Sequence, residues 1–298
     1  MNGIPSYLSP VSIIPGGCPQ FLDFSLREES IRRLRRYFRE EKKNQGDPDG
    51  RYTHYLRCLA ETENGFIDQL TGQPCEEDYS VEARRAVTAW DGHWLPIPFL
   101  RTLDQAWPDG GKRFECGPSN WARARVMQSE RHPDQLRIVL AFDTNVEQRP
   151  TEGDRYHALS PQDVAAHGHF MLAHLVRDNS WFLNEAWVDE WLCGIFDLWR
   201  QSQHRGRGSW KDDTPYVLEH LANYLTWLDV VRMALNDLAA QVINPDRDTP
   251  VDVDLVLDIG NSRTTGILVE TLPQRVTNLN DSYLLELRDL SNPENIYS

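Results

Sequence analysis

The densest chemistry in this chain lies close to its C-terminal end, in the run Asp258-Ile-Gly-Asn-Ser-Arg-Thr-Thr-Gly-Ile-Leu-Val-Glu270. Gly260 has no Cβ, so the backbone there can bend sharply and approach an anion closely. The amides of Asn261 to Thr264 can then point into one concavity, which is how a backbone nest holds phosphate. Ser262, Thr264 and Thr265 add hydroxyl donors. Asp258 is acceptor-only when ionised, so it suits a hydrated magnesium ion beside the phosphates. Positioning and charge neutralisation are most of what phosphoryl transfer asks of a protein. The competing reading of the same residues is a plain hairpin with a polar turn.

Such a turn needs rigid extended segments on both sides. Val251 to Leu257 is rich in Val and Leu, as a buried strand should be. Ile267-Leu-Val269 forms the core of a second strand, and Ser282 to Arg288 reads as a third. The expected order is strand, tight polar turn, strand, loop, strand. Neither GxxxxGK[ST] nor GxGxxG occurs anywhere, so this is not one of those two common phosphate loops.

The run D-I-G-N-S-R-T-T-G-I-L-V-E resembles the phosphate-1 motif of the actin/Hsp70/hexokinase superfamily. Its Asp–x–Gly–Asn–Ser–Arg start is similar to the variant in type III pantothenate kinases. The resemblance implies that Asp258 holds magnesium through water and that Gly260, Asn261, Ser262 and Arg263 wrap the β/γ phosphates of ATP. Thr264 and Thr265 follow as further binding residues, with Gly266 where the second strand leaves the turn. The long aromatic leader before V-D-L-V-L-D-I-G-N-S-R-T-T-G-I-L-V-E is similar to the bacterial virulence factor SrfB family. The expected chain is α+β: residue patterns give a mixed leader with a helical second half, and the motif's resemblance implies that the first antiparallel β-meander of an actin/Hsp70-like (ribonuclease H-like) ATPase domain follows. The superfamily fold also needs a second Asp loop and a Gly-rich adenosine motif. Neither occurs after Asp289, so a truncated domain is expected, catalytically incomplete alone. Its partner is the remainder of the nucleotide-binding domain, in a longer chain or a partner protein. Two other classes stay open. One is a non-enzymatic interaction or scaffold protein with a vestigial phosphate loop; the other is a small-molecule kinase.

The leader divides by composition into residues 1–158, mixed α/β, and 159–243, helical. A proline-bounded linker at 244–250 (NPDRDTP) separates them from 251–298. Phe21 to Leu26 alternates and reads as a strand. Ile31, Leu34 and Phe38 step at helical spacing through an Arg- and Glu-rich stretch, predicting a surface helix over 28–43. Its arginines Arg32, Arg33, Arg35 and Arg36 are expected on a solvated face, paired with Glu28, Glu29, Glu40 and Glu41. Pro96 and Pro98 restrict 90–103 to extended edge or loop. Residues 121–128 and 136–142 predict an antiparallel hairpin around the Arg131–Asp134 turn. Helices are predicted from Ser160, over 181–203, and from Thr214 to Val242.

Other chemistry-bearing groups read more plainly. His167, His169 and His174 lie close together, but His169 falls off the face the other two share, so helix-surface histidines are the expectation. Trp187, Trp191 and Trp199 read as core at helical spacing. Cys116 has turn neighbours and no base. Glu185, Asp189 and Glu190 form an acidic helix face.

Bulk composition sets the outer limits. The chain carries 45 acidic and 31 basic side chains for a formal charge of −14, which disfavours bulk nucleic-acid binding. Its five cysteines are widely spaced with no CxxC, which argues against a disulfide framework and points to a reduced, cytoplasmic setting. No basic, apolar leader opens the sequence, and no run approaches a membrane-spanning length. Export without a cleaved signal is compatible with the same residues.

Overall fold

The computed structural model describes residues 11–13, 20–44, 52–106, 112–115, 122–129, 132–142, 170–173, 182–203, 216–235, 240–242, 252–259, 264–271, 282–285, 287–288 and 296–297. The chain forms two compact units, Met1–Val242 and Ile243–Ser298. The first unit begins β1 (Val11–Ile13), β2 (Gln20–Arg27), the single-turn α1 (Glu28–Ile31), β3 (Arg35–Asn44) and β4 (Tyr52–Thr62). It continues through β5 (Gly65–Asp68), β6 (Pro74–Cys75), β7 (Tyr79–Glu82), α2 (Ala83–Ala89), β8 (Trp94–Pro96), β9 (Phe99–Ala106) and β10 (Lys112–Glu115). It closes with β11 (Ala122–Gln128), β12 (Gln135–Phe142), β13 (Phe170–Leu172), α3 (Ala186–Gln203), α4 (Glu219–Leu235) and β14 (Ala240–Val242). The second unit holds β15 (Asp252–Ile259), β16 (Thr264–Thr271), β17 (Ser282–Leu285), β18 (Leu287–Arg288) and β19 (Ile296–Tyr297). The protein is thus mixed α+β, built on mainly antiparallel sheets.

Among the described residues the first unit holds three sheets, ordered β6-β5-β4-β3-β7, β2-β12-β11-β8 and β1-β14-β13-β9-β10. The β11–β12 hairpin pairs in continuous register from Ala122↔Phe142 to Gln128↔Leu136, as its flanking turn residues predicted. β2 forms as expected and runs antiparallel to β12. The proline-containing β8 sits at a sheet edge, where a missing N–H costs no ladder bond.

α4 is the central element. Every residue from Ala222 to Val231 is buried, with Trp227, Tyr224 and Leu228 fully so. A helix buried on nearly all sides must find partners for most of the polar groups it carries; the Asn223 Oδ1 and Trp227 Nε1 atoms lie buried without a hydrogen-bond partner. Asn223 donates to the Glu219 carbonyl at 2.8 Å and Thr226 to the Ala222 carbonyl at 2.9 Å. The Tyr224 hydroxyl donates to the Pro96 carbonyl at 2.6 Å, and burial pushes its phenol well above the ordinary range. His220 meets Asp189 of α3 at 2.7 Å. Asp229 takes a two-pronged bond from Arg36 on β3, at 2.5 and 2.8 Å. The entry to α4 is clasped from the sheet: both Glu40 oxygens accept from the Val217 and Leu218 amides, at 2.8 and 3.0 Å. A carboxylate at that end also complements the helix dipole.

The predicted helix over 28–43 is corrected. Only Glu28–Ile31 is helical, and Arg35–Asn44 is a strand. Three apolar residues at helical spacing were too few to decide. Phe38 is buried and the Arg36 side chain is largely so, at 10 % exposure, while the strand is paired on both sides, Tyr37↔Leu59 and Tyr37↔Ser80. The arginine pairing changes with it. Arg32 and Arg33 are exposed, Arg35 bonds Glu82, and Arg36 turns inward to Asp229. Glu28 instead faces Arg84, and Glu41 faces Arg57.

The helical second half is corrected in part. Phe170–Leu172 is a strand held between β9 and β14, so the helix predicted from Ser160 does not run through it. The predicted 214–242 helix is α4 only from Glu219 to Leu235. Ala240–Val242 instead pairs in parallel with Val11–Ile13, a partner invisible to local periodicity. The aromatic helix is realised as α3, with Trp187 buried and Trp191 and Trp199 packed half-buried against the same core. The linker 244–250, the histidines His167, His169 and His174, and Cys116 lie outside the described residues.

Two outcomes follow from these buried charges. Asp229→Ala leaves the Arg36 cation buried and unpaired, so it should destabilise the first unit by about 3–5 kcal/mol in urea unfolding. The double replacement Arg36→Met/Asp229→Leu should recover most of that loss. Asp68 gives a pH effect. Burial opposes its charge, but the Leu70 and Thr71 amides and the Arg57 guanidinium outweigh it and hold its carboxyl below the usual range. A depressed carboxyl stabilises the fold above its unfolded value of about 3.9 and loses that contribution as pH falls through the folded value. Acid titration of Asp68→Asn should therefore lose less stability below about pH 4 than the parent protein.

Candidate functional site

The candidate phosphate turn sits in the second unit, at the end of a hairpin. β15 and β16 pair antiparallel without a break from Asp252↔Thr271 to Ile259↔Thr264. β17 then adds to the far side of β16, giving the order β15-β16-β17. The expected succession of three extended segments is present with β16 central, but the third, expected over Ser282 to Arg288, joins this sheet only as Ser282–Leu285, and Leu287–Arg288 pairs with β19 instead. Valine-, leucine- and isoleucine-rich stretches favour this because branched side chains pack well on a pleated surface.

Register fixes what the hairpin brings together. Asp258 lies directly opposite Thr265, and Thr264 lies opposite Ile259 at the first paired position after the turn. Directly opposed residues in an antiparallel pair have Cα atoms about 4.5–5.5 Å apart. The carboxylate-bearing residue and the two threonines are therefore neighbours across the ladder although six or seven positions separate them in sequence. Gly266 is buried and paired on both sides, to Leu257 and Leu285. Gly260, Asn261, Ser262 and Arg263 form the connection between the strands and lie outside the described residues.

The first unit holds a polar cluster that sequence reasoning did not assemble. Arg36 of β3, Cys58 of β4 and Asp229 of α4 meet in the interior, with the Cys58 thiol 4.0 Å from the guanidinium. Burial pushes the thiol up to about 11, although Arg36 pulls the other way. A thiol held that high is not a nucleophile near neutrality, so this cluster ties sheet to helix. Arg36 and Asp229 are 193 positions apart, and no local signal links them. Asp189, from the acidic helix face, is held below the usual carboxylate range by its hydrogen bond to His220, against the effect of burial. Among the described residues no three His, Cys, Asp or Glu side chains form a metal-binding group.

Fold and site together define a two-unit α+β protein. A buried-helix core forms one unit, and a β-meander carrying an Asp–x–Gly hairpin forms the other. A family model described as virulence factor SrfB matches residues 1–298, and the chain belongs to that family. Searches of curated proteins and of solved structures returned no match.

The contrast among thiols is directly measurable. Cys58 is buried, whereas Cys75 and Cys193 are partly accessible. Mass-spectrometric mapping after brief alkylation at pH 8 should find Cys75 labelled well before Cys58, and Cys58 labelled only on unfolding.

Proposed function

We propose that this SrfB family protein uses the β15–β16 hairpin as the phosphate-1 loop of an actin/Hsp70-like ATP-binding domain. The carrying observation is the unbroken register that sets Asp258 across from Thr265 at the mouth of a short connection starting at Gly260. The donor set fits the ligand: a carboxylate for a hydrated magnesium ion, and amides and hydroxyls for phosphate oxygens. Asp258 would hold the metal's water shell, and Gly260, Asn261, Ser262, Arg263, Thr264 and Thr265 would bind the β/γ phosphates. Magnesium, when bound, neutralises charge on the phosphates; the chain's own part is to position them.

A second feature supports reading the meander as one piece of a larger nucleotide domain. Leu255, Val256 and Leu257 are 52, 54 and 50 % exposed, although they lie in consecutive positions of a strand. Consecutive residues point to opposite faces, so neither face of β15 is fully covered there. Further protein, from a longer chain or a partner, would remove that aliphatic surface from water and complete the nucleotide site. No helix among the described residues is long and apolar enough to cross a membrane.

Binding is tested by thermal unfolding with and without Mg·ATP. A ligand that binds only the native state at 100 times its Kd stabilises by about 2.7 kcal/mol. The expected outcome is an ATP-dependent upward shift in protein carrying the complete domain, abolished by Asp258→Ala. An unchanged shift in the variant rejects the role of Asp258; no shift in either protein rejects the nucleotide reading. The 298-residue chain by itself should release no phosphate from ATP in steady state. Turnover that disappears with Asp258→Ala would overturn the view that the site is incomplete.

A further inference from the structure

We draw no further inference here: the strongest candidate, the half-exposed aliphatic run Leu255–Leu257 on the edge strand of the three-stranded sheet, carries nothing beyond the proposed function because nothing in the structure shows which segment covers it.

Discussion

The first unit depends on one constraint, the burial of a helix that is not uniformly apolar. α4 carries Asn223, Thr226 and Asp229 within its buried length and His220 at its start. Each of these would cost several kcal/mol in an apolar interior if left without a partner. The surroundings of the helix supply complementary groups to most of them, while the Asn223 side-chain carbonyl oxygen stays unpaired. β3 supplies Arg36 to Asp229, α3 supplies Asp189 to His220, and the helix's own carbonyls accept from the Asn223 amide and the Thr226 hydroxyl. Such pairings do little for stability compared with apolar packing, yet removing one partner is expensive. They fix the rotation and register of α4 against the sheet.

Aromatic packing supplies the bulk of the burial around that frame. Trp227 lies against Tyr224 with ring centroids 5.8 Å apart, and Trp90 lies against Phe196 at 5.6 Å. Each such ring removes about 150–250 Å² from water, which makes a few of them decisive in a core of this kind. At the start of α4 the Tyr216 ring stacks on Tyr79 at 4.2 Å, and its hydroxyl donates to the Asp78 carbonyl. Together with Glu40, these contacts return the chain to the sheet just before the helix begins.

The second unit follows a different logic. Its hairpin is specified locally, by two apolar strands and a short polar connection, and its register makes neighbours of Asp258 and Thr265. Its edge strand nonetheless keeps three aliphatic side chains half in water. A small sheet of this kind is marginal without cover on at least one face. Local specification and incomplete burial set this unit apart from the first, where distant partners decide the elements.

The sequence by itself determined what depends on neighbours along the chain. The Asp–x–Gly hairpin with its three successive strands, the 122–142 hairpin and the aromatic helix were all legible, because turn chemistry and side-chain period act within a dozen residues. Only the tertiary structure decided the rest. Residues 35–44 have apolar groups at helical spacing, but cross-strand pairing with β4 and β7 and the inward turn of Arg36 made them a strand. Ala240–Val242 left the helical pattern to join Val11–Ile13, more than 200 positions away in the chain. In both places the energy of a distant partner exceeded a local preference worth about 1 kcal/mol per residue or less.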